Sequence, residues 1–92
     1  MRIVTRPDFD GIVCAVLLYE ALHIQDPVIW VEPNHVQKGL VDIQHEDIIA
    51  NLPHDPRCAL WFDHHYTNQI DIPFEGAFKI APSASGIIFD YY

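Results

Sequence analysis

Residues 10–23, DGIVCAVLLYEALH, constrain the fold more than any other stretch of the chain. Asp10 suits a helix N-cap, and Ile12, Val13, Ala15, Val16, Leu17, Leu18, Ala21 and Leu22 follow it. These apolar residues cover almost every face of a helix, so the helix must lie against a sheet with little exposure. Just before it, Ile3-Val4-Thr5 is a β-branched run that ends at turn-prone residues, as a short buried strand does.

Three more strands are predicted, over 27–33 (PVIWVEP, bracketed by prolines), 47–53 (DIIANLP, stopped by Pro53) and 58–62 (CALWF). Residues 34–46 read as loop with one short element, and 68–80 as loop or edge strand, broken by Pro73 and Gly76. The last segment, PSASGIIFDYY, opens a helix with Ser83 or Ser85 as its cap, and Tyr92 ends the chain inside that pattern with no stop signal. A helix cut off in this way is expected to expose Ile87, Ile88 and Phe89 and to drive self-association into a homo-oligomer. The order of elements specifies an α/β fold, a mostly parallel sheet with flanking helices, in which ligands gather at the carboxyl ends of the strands.

Ninety-two residues, half of them hydrophobic, make one small domain with a packed core. Thirteen acids against five Lys and Arg give a net charge of −8. No basic stripe exists to hold a long nucleic-acid duplex, whereas converging acids attract divalent cations. Cys14 and Cys58 form no CxxC pair and no zinc spacing, so both are expected to be reduced and structural. The longest apolar run, Ile12 to Tyr19, is too short for a membrane span, no signal peptide is visible, and the expected location is the cytoplasm.

The chemistry-bearing residues fall at predicted strand ends. Asp8 and Asp10 follow strand one, Asn51 and His54 bracket the end of strand three, and Asp63-His64-His65 closes strand four. Each alone also fits a turn or a capped helix start. Together, on parallel neighbouring strands, they would face one crevice, with Gly11 allowing close backbone approach. Carboxylate and imidazole ligands without thiolates suit Mn²⁺, Zn²⁺ or Fe²⁺, and a site of that kind serves metal-assisted phosphoester hydrolysis. The candidate metal-site residues are therefore Asp8, Asp10, Asn51, Asp63 and His64, and the groups placed to stabilise phosphoryl charge are His65 and Arg6. His23, His35 and His45 fit no ligand spacing, and Trp30 and Trp61 are expected in the core.

TRPDFDG before an apolar helix, WFDHH ending a strand, and APSAS opening a later helix resemble the DHH phosphoesterase superfamily, in the same order and across essentially the whole chain. The resemblance implies an N-terminal α/β lobe with a two-metal centre, commonly manganese, joined to a C-terminal substrate-binding lobe. Residues 1–92 would then be the N-terminal portion of such a domain, an incomplete lobe. It implies Asp8 and Asp10 as metal carboxylates, His64 as a metal ligand, His65 facing the substrate phosphate, and Asp63 orienting a histidine. Val4 stands where many members carry a histidine, and Asn51 where an aspartate usually bridges the metals, with His54 or Asp55 as alternatives. A fourth-motif aspartate is absent. The implied parent is a Mn²⁺-dependent hydrolase of phosphodiester or phosphoanhydride bonds, of the exopolyphosphatase, nano-RNase or single-strand exonuclease kind. Its substrate would be a phosphate ester, an oligonucleotide or polyphosphate, and the 92 residues alone would be weakly active or inactive. The alternative is a diverged, non-catalytic relative that keeps the site for ligand or protein binding.

Overall fold

A computed structural model describes the whole chain, residues 1–92. Five strands, β1 (Ile3–Thr5), β2 (Ile29–Trp30), β3 (Ile48–Ala50), β4 (Leu60–Asp63) and β5 (Gly76–Phe78), form one sheet in the order β2-β1-β3-β4-β5. Every pairing is parallel, with Val4 beside Ile29 and Ile49, Ile49 beside Trp61, and Trp61 beside Gly76. The expected α/β class and parallel sheet are what the chain adopts.

The alternation of side chains along each strand builds two apolar layers. On one face Ile3, Ile48, Ala50 and Phe62 meet Cys14, Ala15 and Leu18 of α1 (Phe9–Leu22) and Ala84, Ile87 and Ile88 of α3 (Ala84–Tyr91). On the other, Val4, Ile49 and Trp61 pack with Val31, Ile43, Leu52 and Val36 of the short α2 (Pro33–Gln37). Both β1 and β3 are covered on each face, which explains their unbroken apolar sequences.

Several expectations need correction. The N-cap of α1 is Asp8 rather than Asp10: its Oδ1 accepts from the Gly11 N–H at 2.7 Å. That helix is also less covered than its composition suggests, because α3 packs beside it on the sheet and leaves Ile12 and Val16 outside. The strand expected over 27–33 narrows to two residues, since Pro33 already starts α2 and β2 is an edge, so Trp30 is 48% exposed rather than in the core. The strand expected over 47–53 ends at Ala50, because Asn51 turns the chain with φ of 60°. Ile87 and Ile88 are buried on the sheet, and of the three apolar residues expected outside α3 only Phe89 is exposed. A short 3₁₀ turn over Tyr66–Asn68 was not foreseen.

Asp47, expected at the start of a strand, instead anchors the bottom of the sheet. Its fully buried carboxylate takes Arg2 Nε at 2.8 Å and Nη2 at 2.7 Å, and the Gln44 N–H at 2.8 Å. Arg2→Met leaves that charge with one remaining partner and is expected to cost about 2 kcal/mol, less than for a wholly buried pair because Arg2 borders water. Urea unfolding of the two proteins checks it, through a lower midpoint at unchanged slope. Both cysteines are free, and burial pushes the Cys58 thiol up to about 11 and raises Cys14 as well, so both stay as thiols at neutral pH.

Candidate metal centre

The strand order places the site. After β1 the chain moves outward to β2, then returns to the far side of β1 to lay down β3 and β4. The carboxyl ends of β1 and β3 therefore flank a switch point, where an open parallel sheet leaves a crevice. Asp8 and Asp10 follow β1, Asn51 follows β3, and Asp63-His64-His65 closes β4.

Asp8 is held at the start of α1 by the Gly11 N–H, by Asn51 Nδ2 at 3.1 Å, and by Arg6 Nε, which lies 3.4 Å from its Oδ2. Asp10 reaches from α1 toward α3, with the Cys14 thiol one turn on donating to its Oδ1 at 4.0 Å. Its Oδ2 accepts the Ala84 N–H at 2.9 Å and its Oδ1 the Ser85 N–H at 3.0 Å, the first two donors of α3. Burial by itself would raise the Asp10 pKa, but hydrogen bonds from Ser85 and Ala84 and the neighbouring His64 outweigh it and hold the carboxyl below its usual value.

His64 lies between Asp10 and the segment leading into α3. Its Nδ1 is 2.9 Å from the Ala81 carbonyl oxygen. A carbonyl only accepts, so Nδ1 carries a proton and Nε2 is the ring nitrogen turned toward Asp10. That nitrogen stands 3.5 Å from Asp10 Oδ2. A carboxylate oxygen and an imidazole nitrogen at this distance can share a proton or serve as two ligands of one cation. Ligand atoms about 2.1 Å from one ion stand roughly 3.0–3.4 Å apart, close to the spacing seen, so the donor set fits a divalent metal without rearrangement of the backbone.

Asp63, His64 and His65 also offer donor atoms within 4.8 Å of one another. Asp63, however, is fully buried and both its oxygens are engaged, Oδ1 with His65 Nδ1 at 2.6 Å and Oδ2 with Asn68 Nδ2 at 2.8 Å. Asp8, Asp10 and His64 keep part of their side chains at the surface, and they are the donors a cation can reach. Asn51 adds one more feature: its Oδ1 is the single buried side-chain polar atom without a partner. An orphaned acceptor at a crevice is costly unless a ligand or ion completes it. Arg6, Asn51 and His65 line one cavity of about 160 Å³ with Pro33, Gln37, Thr67 and Asn68.

Every candidate site residue from the sequence thus converges at one rim, while Val4 points into the core under the sheet. His54 packs edge-on against Trp61 at 5.1 Å, where burial lowers its pKa, and Asp55 is engaged by Arg57 at 2.9 Å. Neither makes a contact with the other site residues. Sequence reading missed Asn68, and it took Ala81–Ser85 as a helix opening without a role at the site. Asn68 carries a weak signal in following the histidines closely, whereas backbone N–H and C=O groups carry none.

No protein-family model and no curated protein matches the chain. Among solved structures, the pGpG-specific phosphodiesterase PggH from Vibrio cholerae superposes with a TM-score of 0.82 at 43% identity, over 99% of this chain. The fold is shared with a phosphodiesterase. The chain spans 29% of the length of that structure. No helix here is long and apolar enough to cross a membrane.

Proposed function

We propose that residues 1–92 form the N-terminal portion of a DHH-type phosphoesterase domain whose parent, a cytoplasmic enzyme, hydrolyses phosphodiester bonds in short oligonucleotides. The observation that carries this reading is Asp10 Oδ2 and His64 Nε2 standing 3.5 Å apart at the carboxyl rim of the sheet, the separation of two ligands on one ion. Likeness to a phosphodiesterase supports phosphodiesters over polyphosphate as the bond class.

In this reading Asp8, Asp10 and His64 hold divalent metal, Mn²⁺ being the expected ion, and Asn51 contributes at most one neutral oxygen. Bound metal supplies a Lewis acid for water and for phosphoryl oxygens. The remaining work falls to the chain. Arg6 brings a fixed positive charge to the cavity it lines, and Asp63 holds the Nδ1 proton of His65, leaving Nε2 as the ring's free nitrogen to give or take a proton there. Asn68 keeps Asp63 in place from the other side.

A specific feature favours a second reading. Asn51 donates to Asp8 where a bridging carboxylate would add charge, so the site could bind one metal and a ligand without turnover.

The test is a Mn²⁺ titration followed by melting temperature. At a hundred times Kd, bound metal adds about 2.7 kcal/mol, or roughly 10–20 °C for a domain of this size. Asp10→Asn and His64→Ala are expected to lose most of that gain. A wild-type gain no larger than theirs overturns the metal centre. If metal binds but a longer protein containing this segment cleaves neither pGpG nor another short oligonucleotide, the second reading holds.

A further inference from the structure

We infer that the turn into α3, Ala81 to Ser85, is a positioning element for the metal site, acting chiefly through its main chain. The inference rests on the reading of Asp10 and His64 as metal ligands.

Three main-chain groups carry it. The N–H groups of Ala84 and Ser85 hold the two oxygens of Asp10 at 2.9 and 3.0 Å, and the carbonyl of Ala81 holds Nδ1 of His64 at 2.9 Å. One five-residue segment thus sets the direction of both side chains, which come from separate elements, α1 and the end of β4. Asp10 Oδ2, with one N–H donor, keeps a second lone pair for a cation, and His64 Nε2 lies beside it. A carboxylate left to rotate, or a ring free to exchange tautomers, would have to be ordered whenever metal binds. Here that ordering is done in advance.

The cap of α3 is separable from this role. Ser83 Oγ accepts the Gly86 N–H at 3.0 Å and the Ser85 O–H at 3.3 Å, which secures the helix start with no direct contact to Asp10 or His64. Ser83 itself is extended, with φ of −157° and ψ of 153°, the conformation required of a residue before proline. Proline is also favoured at the first position of a helix, which is where Ala84 stands. Ala84→Pro removes one N–H from Asp10 at a backbone position that suits proline, although Ala84 is fully buried and the added ring atoms cost stability. An ester in place of the Ser83–Ala84 amide, made by chemical synthesis of the 92-residue chain, removes the same N–H and adds no atoms.

The experiment measures Mn²⁺ affinity by the electron paramagnetic resonance signal of the free ion, with the melting temperature of the metal-free protein alongside. The ester is expected to weaken Mn²⁺ binding about 10–100-fold while the metal-free melting temperature stays within a few degrees of wild type, and Ala84→Pro to weaken binding as much while also lowering that temperature. Ser83→Ala is expected to do the reverse of the ester, lowering the melting temperature and leaving affinity unchanged. Wild-type affinity in the ester, or an affinity loss in Ser83→Ala that follows its loss of stability, overturns the inference and leaves the metal centre standing. A wild-type chain that binds no Mn²⁺ overturns both.

Discussion

Trp61→Ala is expected to lower stability by about 4–5 kcal/mol, the largest effect of any single side-chain truncation in this chain. The indole is fully buried at the centre of the lower layer. It lies stacked on Phe78 with ring centroids 5.3 Å apart, and meets Phe74 edge-on at 4.9 Å. Truncating a buried tryptophan costs about 3–5 kcal/mol through lost transfer energy and the cavity left behind. A further contribution comes from the Leu52 carbonyl, which accepts from Nε1 at 2.8 Å and would be left buried and unpaired. Against a total stability of about 5–15 kcal/mol, this removes a third or more of what holds the domain together. Calorimetry checks it as a melting temperature lowered by about 20 °C. Trp61→Phe separates the two contributions: it keeps most of the packing, loses only the N–H, and is expected to cost about 2 kcal/mol. The loss reaches the site as well, because the Leu52 carbonyl is the next landmark after Asn51, whose left-handed backbone turn has no glycine to make it easy.

Gly11→Ala is the second large effect, and its origin is space alone. A Cβ at this position would lie 1.9 Å from the Arg6 carbonyl oxygen and 2.8 Å from its carbon. Both are main-chain atoms of the turn between β1 and α1, so no side chain can swing aside. The first turn of α1 must retreat, and overpacking of this severity costs about 3 kcal/mol. The Asp8 cap depends on the Gly11 N–H, and Asp10 is its direct neighbour, so the displacement moves both carboxylates at once. The variant is expected to lose Mn²⁺ binding even at temperatures where circular dichroism shows it folded. Wild-type affinity in a folded Gly11→Ala protein would refute this account of the glycine.

Much of this arrangement is readable from the residues, and the failures share a cause. The β-branched run at Ile3, the aromatic run ending at Phe62 and the apolar stretch after Gly11 announce β1, β4 and α1, because local propensity and burial agree there. Convergence of Asp8, Asp10 and His64 follows once the strands are parallel neighbours. The choice of N-cap could not be settled locally. Asp8 and Asp10 are the same residue type two apart, and what decides between them is that Asp10 is claimed by donors 74 and 75 positions downstream. The pairing of Arg2 with Asp47 is hidden for the same reason, spanning 45 positions with no pattern to mark it. The exposure of Trp30 and the burial of Ile87 and Ile88 depend on which strand lies at the border of the sheet and which helix covers its middle. Composition does not report either.

The borders of the sheet have a consequence of their own. One margin is a strand of two residues and the other a strand of three that begins at Gly76, whose φ is 122°. So few unpaired amides give an incoming chain almost nothing to zip onto, which guards against ribbon-like fibre growth. Copies of this molecule that meet in solution would do so through the apolar side chains on the outside of the helices, by contacts that dilution reverses.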